Sequence, residues 1–144
     1  MTHQGNQEQP PRGVVPPIEV SAVPVAIGVD LIERMRIIRS YDRFGERFLR
    51  RVFTATELAK ANHQIERLIG RYAAKEACSK ALGTGMISVA WREIEIIRAR
   101  GGKPVIRLHG RAAARAELLG LTAFDVSISD TRDHAMAVVI GLRG

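Results

Sequence analysis

Glu76, Lys75 and Lys80 are the residues of this chain best placed for phosphate chemistry. They lie in the run Gly70-Arg71-Tyr72-Ala73-Ala74-Lys75-Glu76-Ala77-Cys78-Ser79-Lys80-Ala81-Leu82-Gly83-Thr84-Gly85. Alanine and leucine favour a helix through it, and Gly83 and Gly85 suit its end, where a left-handed residue is needed. Glu76 and Lys80 stand four apart and share a face. A carboxylate beside ammonium groups can hold a magnesium ion while the cations meet phosphate oxygens. Spacing alone is equally that of an ordinary exposed helical ion pair, which is the commoner case.

The remaining elements must carry this helix. Residues 1–22 are rich in proline, glutamine and glycine and read as a disordered or loosely draped tail, with one domain over 23–144. Val23 to Val29 is a short apolar run that reads as a buried strand. Asp30-Leu31-Ile32-Glu33 has capping-box spacing, so Asp30 is expected where strand gives way to helix. In the helix that follows, Ile37, Tyr41, Phe44 and Phe48 make an apolar stripe, and Arg36, Arg39, Arg43, Arg47 and Arg50 a basic one, with Gly45 a point of weakness. Thr54-Ala55-Thr56-Glu57 is a capping box. Helix is expected again over Ile65 to Leu82, with Leu68, Tyr72, Ala73 and Ala77 toward the core. Residues 89–98 read as a strand with Trp91 in the core. A turn at 98–104 leads to a second strand, Val105 to Leu108, making a hairpin. Gly110 to Leu119 reads as a short helix. Phe124 to Ser129 and Ala135 to Gly141 form a last hairpin.

Composition narrows the function classes. The 144 residues are 46% apolar and 26% charged, ordinary for a soluble globular domain. No apolar stretch approaches bilayer length, and the N-terminus lacks a secretory pattern, so a cytoplasmic protein is expected. The single cysteine, Cys78, reads as a small buried residue rather than a nucleophile. The four histidines do not cluster, and no Walker loop, dinucleotide fingerprint or nucleophile elbow is present. Net charge is +7, and residues 34–51 hold seven arginines against only Asp42 and Glu46. Unpaired like charges on one face point to an acidic partner.

The Gly70–Gly85 run resembles the signature of the holo-acyl-carrier-protein synthases, small 4'-phosphopantetheinyl transferases. Ala26-Ile27-Gly28-Val29-Asp30-Leu31-Ile32-Glu33, Arg51-Val52-Phe53-Thr54 with Glu57-Leu58, Trp91-Arg92-Glu93-Ile94-Glu95-Ile96, Gly102-Lys103-Pro104 and Val126-Ser127-Ile128-Ser129 follow that family's order. The resemblance covers about residues 25–141. It implies an α+β fold, an antiparallel sheet packed against a long helix. It implies transfer of the 4'-phosphopantetheine arm of coenzyme A to a serine of an apo acyl carrier protein, leaving adenosine 3',5'-bisphosphate. By the same resemblance Asp30 and Glu76 ligate Mg2+, Lys80 holds phosphate oxygens, and Lys75 is a weaker candidate for that task. Gly83 and Gly85 would let backbone approach the nucleotide, with Ser129 and Asp130 beside it. The base for the serine is either Glu76 or a metal-bound water. The acidic carrier protein is expected to dock on Arg36, Arg39, Arg43 and Arg47, and a homotrimer with active sites between subunits is implied.

Position 130 departs from the pattern. The family usually reads Ser-x-Ser-His there, whereas this chain reads Ser127-Ile128-Ser129-Asp130. An anion beside phosphates is unfavourable unless a cation intervenes. Two other readings stay open on sequence: a basic α+β nucleic-acid-binding module, poor in the aromatics that stack bases, and a catalytically weakened paralogue that still binds carrier protein.

Overall fold

The computed structural model describes residues 23–144. The expectation for residues 1–22 lies outside the described residues. Eleven elements follow in order: β1 (Val25–Glu33), α1 (Arg34–Phe44), α2 (Glu46–Val52), α3 (Ala55–Lys60), α4 (Ile65–Ala81), a 3-10 turn at Trp91–Glu93, β2 (Ile94–Arg98), β3 (Pro104–Leu108), α5 (Gly110–Leu118), β4 (Leu121–Asp130) and β5 (His134–Arg143).

Helix α4 organises the fold because its sequence lets backbone reach backbone. Its buried face is mostly small, including Ala73, Ala74, Ala77, Cys78, Ser79 and Ala81, and small side chains shorten the distance at which elements pack. Against it lies a three-stranded antiparallel sheet in the order β1-β5-β4. At Gly28 of β1 a Cβ would overlap the Ala77 carbonyl oxygen and lie 2.7 Å from the Ala81 nitrogen. At the other end of α4, a Cβ on Gly70 would meet Ile128 of β4 at 2.9 Å. The helix therefore crosses the sheet from β4 at its start to β1 at its end. A separate hairpin, β2-β3, packs beside α3, α4 and β4. The core is one continuous cluster running from Ile32 and Ile37 through Leu49, Phe53, Leu68 and Ile69 to Ile96, Val126 and Val139.

Several local expectations meet the structure well. Thr54 and Glu57 form a complete capping box at the start of α3. The helix expected over 65–82 is α4, and both hairpins are present with one regular register each, apart from a bulge between Leu121 and Ala123. Two expectations need correction, on β1 and on Trp91. β1 does not end at Val29: it runs to Glu33, pairing with β5 throughout, and α1 has no side-chain cap. Asp30 is thus a strand residue rather than a helix cap. Inward and outward positions alternate through 25–33, so Leu31-Ile32-Glu33 continue the strand period that capping-box spacing had masked. The weakness expected at Gly45 is a break: the arginine-rich stretch is two helices, with Gly45 between them at a φ of 58°. Trp91 sits in the 3-10 turn rather than a strand, half-buried and tilted against Tyr72 at 4.6 Å between ring centres.

Candidate active site

Asp30 lies in mid-strand on β1, on the face toward α4, two residues beyond the close contact at Gly28. That contact sets its neighbours. The Lys80 ammonium donates to Asp30 Oδ1 at 3.1 Å and to the Val29 carbonyl oxygen at 3.0 Å. Glu76, one turn earlier on α4, feels the Asp30 charge. Burial pushes the Glu76 carboxyl above its usual range and Asp30 adds to the effect, while Lys80 and Arg36 pull it back. Burial also raises the Tyr72 hydroxyl, with Glu76 and Asp30 adding to it. Two acids separated by 46 positions in sequence therefore share one neighbourhood with Lys80, Tyr72 and Arg36.

One atom there is unsatisfied. Asp30 Oδ2 is buried and has no hydrogen-bond partner. A buried carboxylate oxygen without a donor is costly, and such groups are normally paired or coordinate a cation. Among the described residues no three or more His, Cys, Asp or Glu side chains are placed to hold a metal ion between them alone. The arrangement nonetheless suits a hard ion such as Mg2+, which is commonly held by one or two carboxylates and completed by water and substrate phosphate oxygens.

Lys75, placed by sequence among the phosphate-binding residues, is a correction. It is fully buried on the opposite side of α4. Its ammonium donates to Glu57 Oε1 at 2.7 Å and to the carbonyl oxygens of Ile94 at 2.5 Å and Trp91 at 3.1 Å. All three of its protons are spent, so none is left for a ligand. Glu57 also accepts from the backbone nitrogens of Thr54 and Ile96. Burial pulls the Lys75 ammonium below its usual value, against the opposing pull of Glu57. Cys78 is buried too, and burial pushes its thiol up to about 12, which leaves no thiolate to react.

Gly83 and Gly85 end α4 in left-handed conformations, φ 71° and 54°. The nitrogens of Thr84 and Gly85 donate back to the Ser79 carbonyl oxygen, and Arg115 donates to that of Leu82. A Cβ at Gly85 would meet nothing within 4 Å, so its surface is open. Arg36, Arg39, Arg43 and Arg47 are all exposed, and the Arg43 guanidinium lies over the Phe44 ring at 5.0 Å.

The sequence reading missed a second cluster. A cleft of about 560 Å³ opens between α4, the β2-β3 hairpin and the end of β4, lined by Arg67, Arg71, Arg98, Lys60 and Asp130 among others. Arg71 is 7% exposed and its Nε is buried with no partner. Burial and the nearby Arg98 both lower the Arg71 guanidinium from its usual value. Converging cations with an unsatisfied donor suit an anion, although Glu66 and Asp130 lie in the same lining and one Arg71 Nη1 proton goes to the Arg67 carbonyl oxygen. Arg71 was quoted in the helix motif, but only tertiary placement of Arg98 reveals the cleft. Asp130 stands on its rim, whereas Ser129 alternates to the other sheet face, in register with Met136.

Asp30, Lys80 and Glu76 gather where one face of α4 meets β1, and the arginine cleft opens on another face of the same helix; known proteins with this fold are phosphopantetheinyl transferases. The family model of the 4'-phosphopantetheinyl transferase superfamily matches residues 26–139. The holo-[acyl-carrier-protein] synthase of Herpetosiphon aurantiacus is 46% identical over 122 residues, 80% of this chain and 96% of that protein. That of Rhodopseudomonas palustris is 46% identical over 128 residues, 81% and 91% of the two chains. Among solved structures, the holo-[acyl-carrier-protein] synthase of Neisseria meningitidis superposes with a TM-score of 0.74 at 35% identity, covering 82% of this chain and 98% of that one. The Helicobacter pylori enzyme in complex with coenzyme A gives 0.72 at 29% identity, covering 80% and 98%. The chain belongs to the 4'-phosphopantetheinyl transferase superfamily, with the holo-[acyl-carrier-protein] synthases as its relatives over nearly the whole described length.

Proposed function

We propose that this chain moves the 4'-phosphopantetheine arm of coenzyme A onto a serine of an apo acyl carrier protein, with Asp30 and Glu76 holding Mg2+. The observation that carries the metal assignment is the buried, unpartnered Asp30 Oδ2 beside Glu76. A bound magnesium ion would supply positive charge against the pyrophosphate oxygens. Lys80, half-exposed and tethered by Asp30 and the Val29 carbonyl, orients an ammonium toward the same oxygens. The proton of the attacking serine hydroxyl would pass to Glu76 or to a water held by the metal.

The arginine cleft is the natural seat for the remaining phosphate of coenzyme A. Arg71 and Arg67 share a face of α4 well over a right angle from that of Glu76 and Lys80, so one nucleotide does not easily reach both within one chain. That separation supports a homotrimer in which the cleft of one subunit faces the acids of the next. The outer face of the sheet supports it as well: Ile27, Val29, Leu31, Met136, Ile140 and Leu142 are all exposed there, Ile27 and Leu31 by 66% and 65%. A contiguous apolar face of this kind marks an interface. No helix among the described residues is long and apolar enough to cross a membrane, so a bilayer-spanning role for the helices does not compete.

The exposed arginines of α1 and α2 suit an acidic carrier protein. Arg36→Glu should raise the carrier-protein KM several-fold, as expected for a rim charge; because the Arg36 charge also reaches Glu76, Arg39→Glu is the variant that should leave coenzyme A affinity alone. A steady-state assay with no change in that KM removes Arg36 from the docking surface. The reaction itself is tested by mass. Incubation with apo carrier protein, coenzyme A and Mg2+ should add about 340 daltons, the mass of the arm carried by this phosphoryl chemistry. No addition, or addition that survives chelation of divalent ions, overturns the reading.

A further inference from the structure

Arg34 and Asp130 are 96 positions apart in sequence and form an ion pair, Nη1 to Oδ2 at 3.4 Å. Three features make this more than a surface contact. The Arg34 side chain is 17% exposed against 63% for Asp130, so the cation is the anchored partner and the carboxylate the open one. The Arg34 backbone nitrogen donates to the Asp133 carbonyl oxygen at 2.9 Å, which ties the start of α1 to the turn after β4. Arg34 also opens a helix whose first turn holds no acid. A cation at a helix N-terminus is disfavoured by the helix dipole, and Asp130 is its sole side-chain partner among the described residues.

Asp130 meanwhile borders the cleft lined by Arg67, Arg71 and Arg98. Left alone, its charge would repel a phosphate and draw the arginines toward itself. We propose that Arg34 is a positioning residue for nucleotide binding: it holds Asp130 neutralised at the rim, so that the cleft arginines stay available to a phosphate. The inference rests on the reading that this cleft takes the nucleotide of coenzyme A. It concerns a pair that compensates a locally wrong charge, and Arg34 itself need not touch the ligand.

The consequence is a pattern across four proteins rather than a single loss. Titration of adenosine 3',5'-bisphosphate by calorimetry should show Arg34→Leu binding about fivefold more weakly, the scale of a partly exposed ion pair, and the gap should narrow as salt rises. Asp130→Asn should bind at least as tightly as wild type. The double variant Arg34→Leu with Asp130→Asn should behave as Asp130→Asn alone, because the charge needing compensation has gone. In turnover the Arg34→Leu loss should fall on the KM for coenzyme A rather than on kcat. Unchanged affinity in Arg34→Leu overturns the proposal. So does a double variant that keeps the full loss, which would make Arg34 a direct ligand contact or a purely structural residue. A wild-type protein that adds no arm to carrier protein overturns the underlying reading. One that adds it normally while its affinity ignores Arg34 overturns only the pair, and one that binds no bisphosphate overturns both.

Discussion

Two lysine–carboxylate pairs stand five residues apart on α4 and do opposite things. Lys75 meets Glu57 with both side chains wholly buried, and three acceptors use all the ammonium protons. Lys80 meets Asp30 with half its side chain in solvent, and the second oxygen of Asp30 has no partner at all. The first pair is complete and the second is not. A complete buried pair fixes how a helix sits; an incomplete one at the surface has capacity left for a ligand. Position on the helix decides which is which: residue 75 faces the β2-β3 hairpin and residues 76 and 80 face β1.

The largest effect that would break this contrast is on catalysis. Glu76→Gln should lower kcat/KM for transfer by about a thousandfold, the scale of removing one preorganised electrostatic group, while the fold stays intact. The variant should be no less stable than wild type, since burial and Asp30 both disfavour the Glu76 carboxylate. An active Glu76→Gln protein, measured by mass addition to carrier protein, would end the metal assignment.

Next comes stability. Lys75→Met leaves the Glu57 carboxylate buried without its cation, although two backbone nitrogens still donate to it. Removing one partner of a buried pair typically costs about 3–5 kcal/mol, so the urea midpoint should fall sharply. The folded fraction should keep near-normal KM for coenzyme A, because no Lys75 proton is free for phosphate. A stable Lys75→Met protein with a raised coenzyme A KM would reverse the roles assigned to the two lysines.

Gly28→Ala probes the contact from which the Lys80–Asp30 pair takes its spacing. The new methyl would overlap the Ala77 carbonyl oxygen, and backbone cannot yield as a side-chain tip can. Overpacking of this kind costs about 1–3 kcal/mol. Because Asp30 lies two residues along the same strand, activity per folded molecule should fall as well, whereas the Lys75–Glu57 pair should not notice. Equal activity per folded molecule would separate the Gly28 contact from the placement of Asp30.

Much of this was legible in the chain because it is local. The helix over 65–81, the Thr54–Glu57 box and both hairpins are set by residues within a few positions of each other. The roles of the two lysines were not, because Glu57 lies 18 positions before Lys75 and Asp30 lies 50 before Lys80; spacing within α4 sees only the Glu76–Lys80 face. The meeting of Asp30 with Glu76 came from resemblance to a family, and no periodicity could have supplied it. The Arg98–Arg71 cleft and the Arg34–Asp130 pair were invisible for the same reason: strand pairing brings their partners together. The end of β1 was misplaced because Asp30 and Glu33 imitate a cap, although the outward Leu31 and inward Ile32 carry the strand period on.

The smallest expected effect lies in acid. Glu95 belongs to the buried side of the comparison, accepting from the Thr54 hydroxyl at 2.6 Å and facing His109 and Arg107. Burial pushes its carboxyl up, but the hydrogen bonds from Thr54 and His109 and the charges of His109 and Arg107 outweigh that and hold it below the usual range. A carboxyl depressed in the folded state binds protons less well than in the unfolded chain. Its stabilisation is therefore complete above the ordinary glutamate value of about 4.3 and is lost as pH falls through the lower folded value. Glu95→Gln should flatten the stability profile in that acid window and leave it unchanged near neutrality apart from a constant offset. Transfer activity at neutral pH should stay close to wild type, since Glu95 touches none of Asp30, Glu76 or Lys80. A Glu95→Gln protein whose denaturant midpoint still drops with wild-type steepness below that value would place the acid sensitivity elsewhere, with Glu93, also held below the usual range by its hydrogen bonds, the next carboxylate to replace.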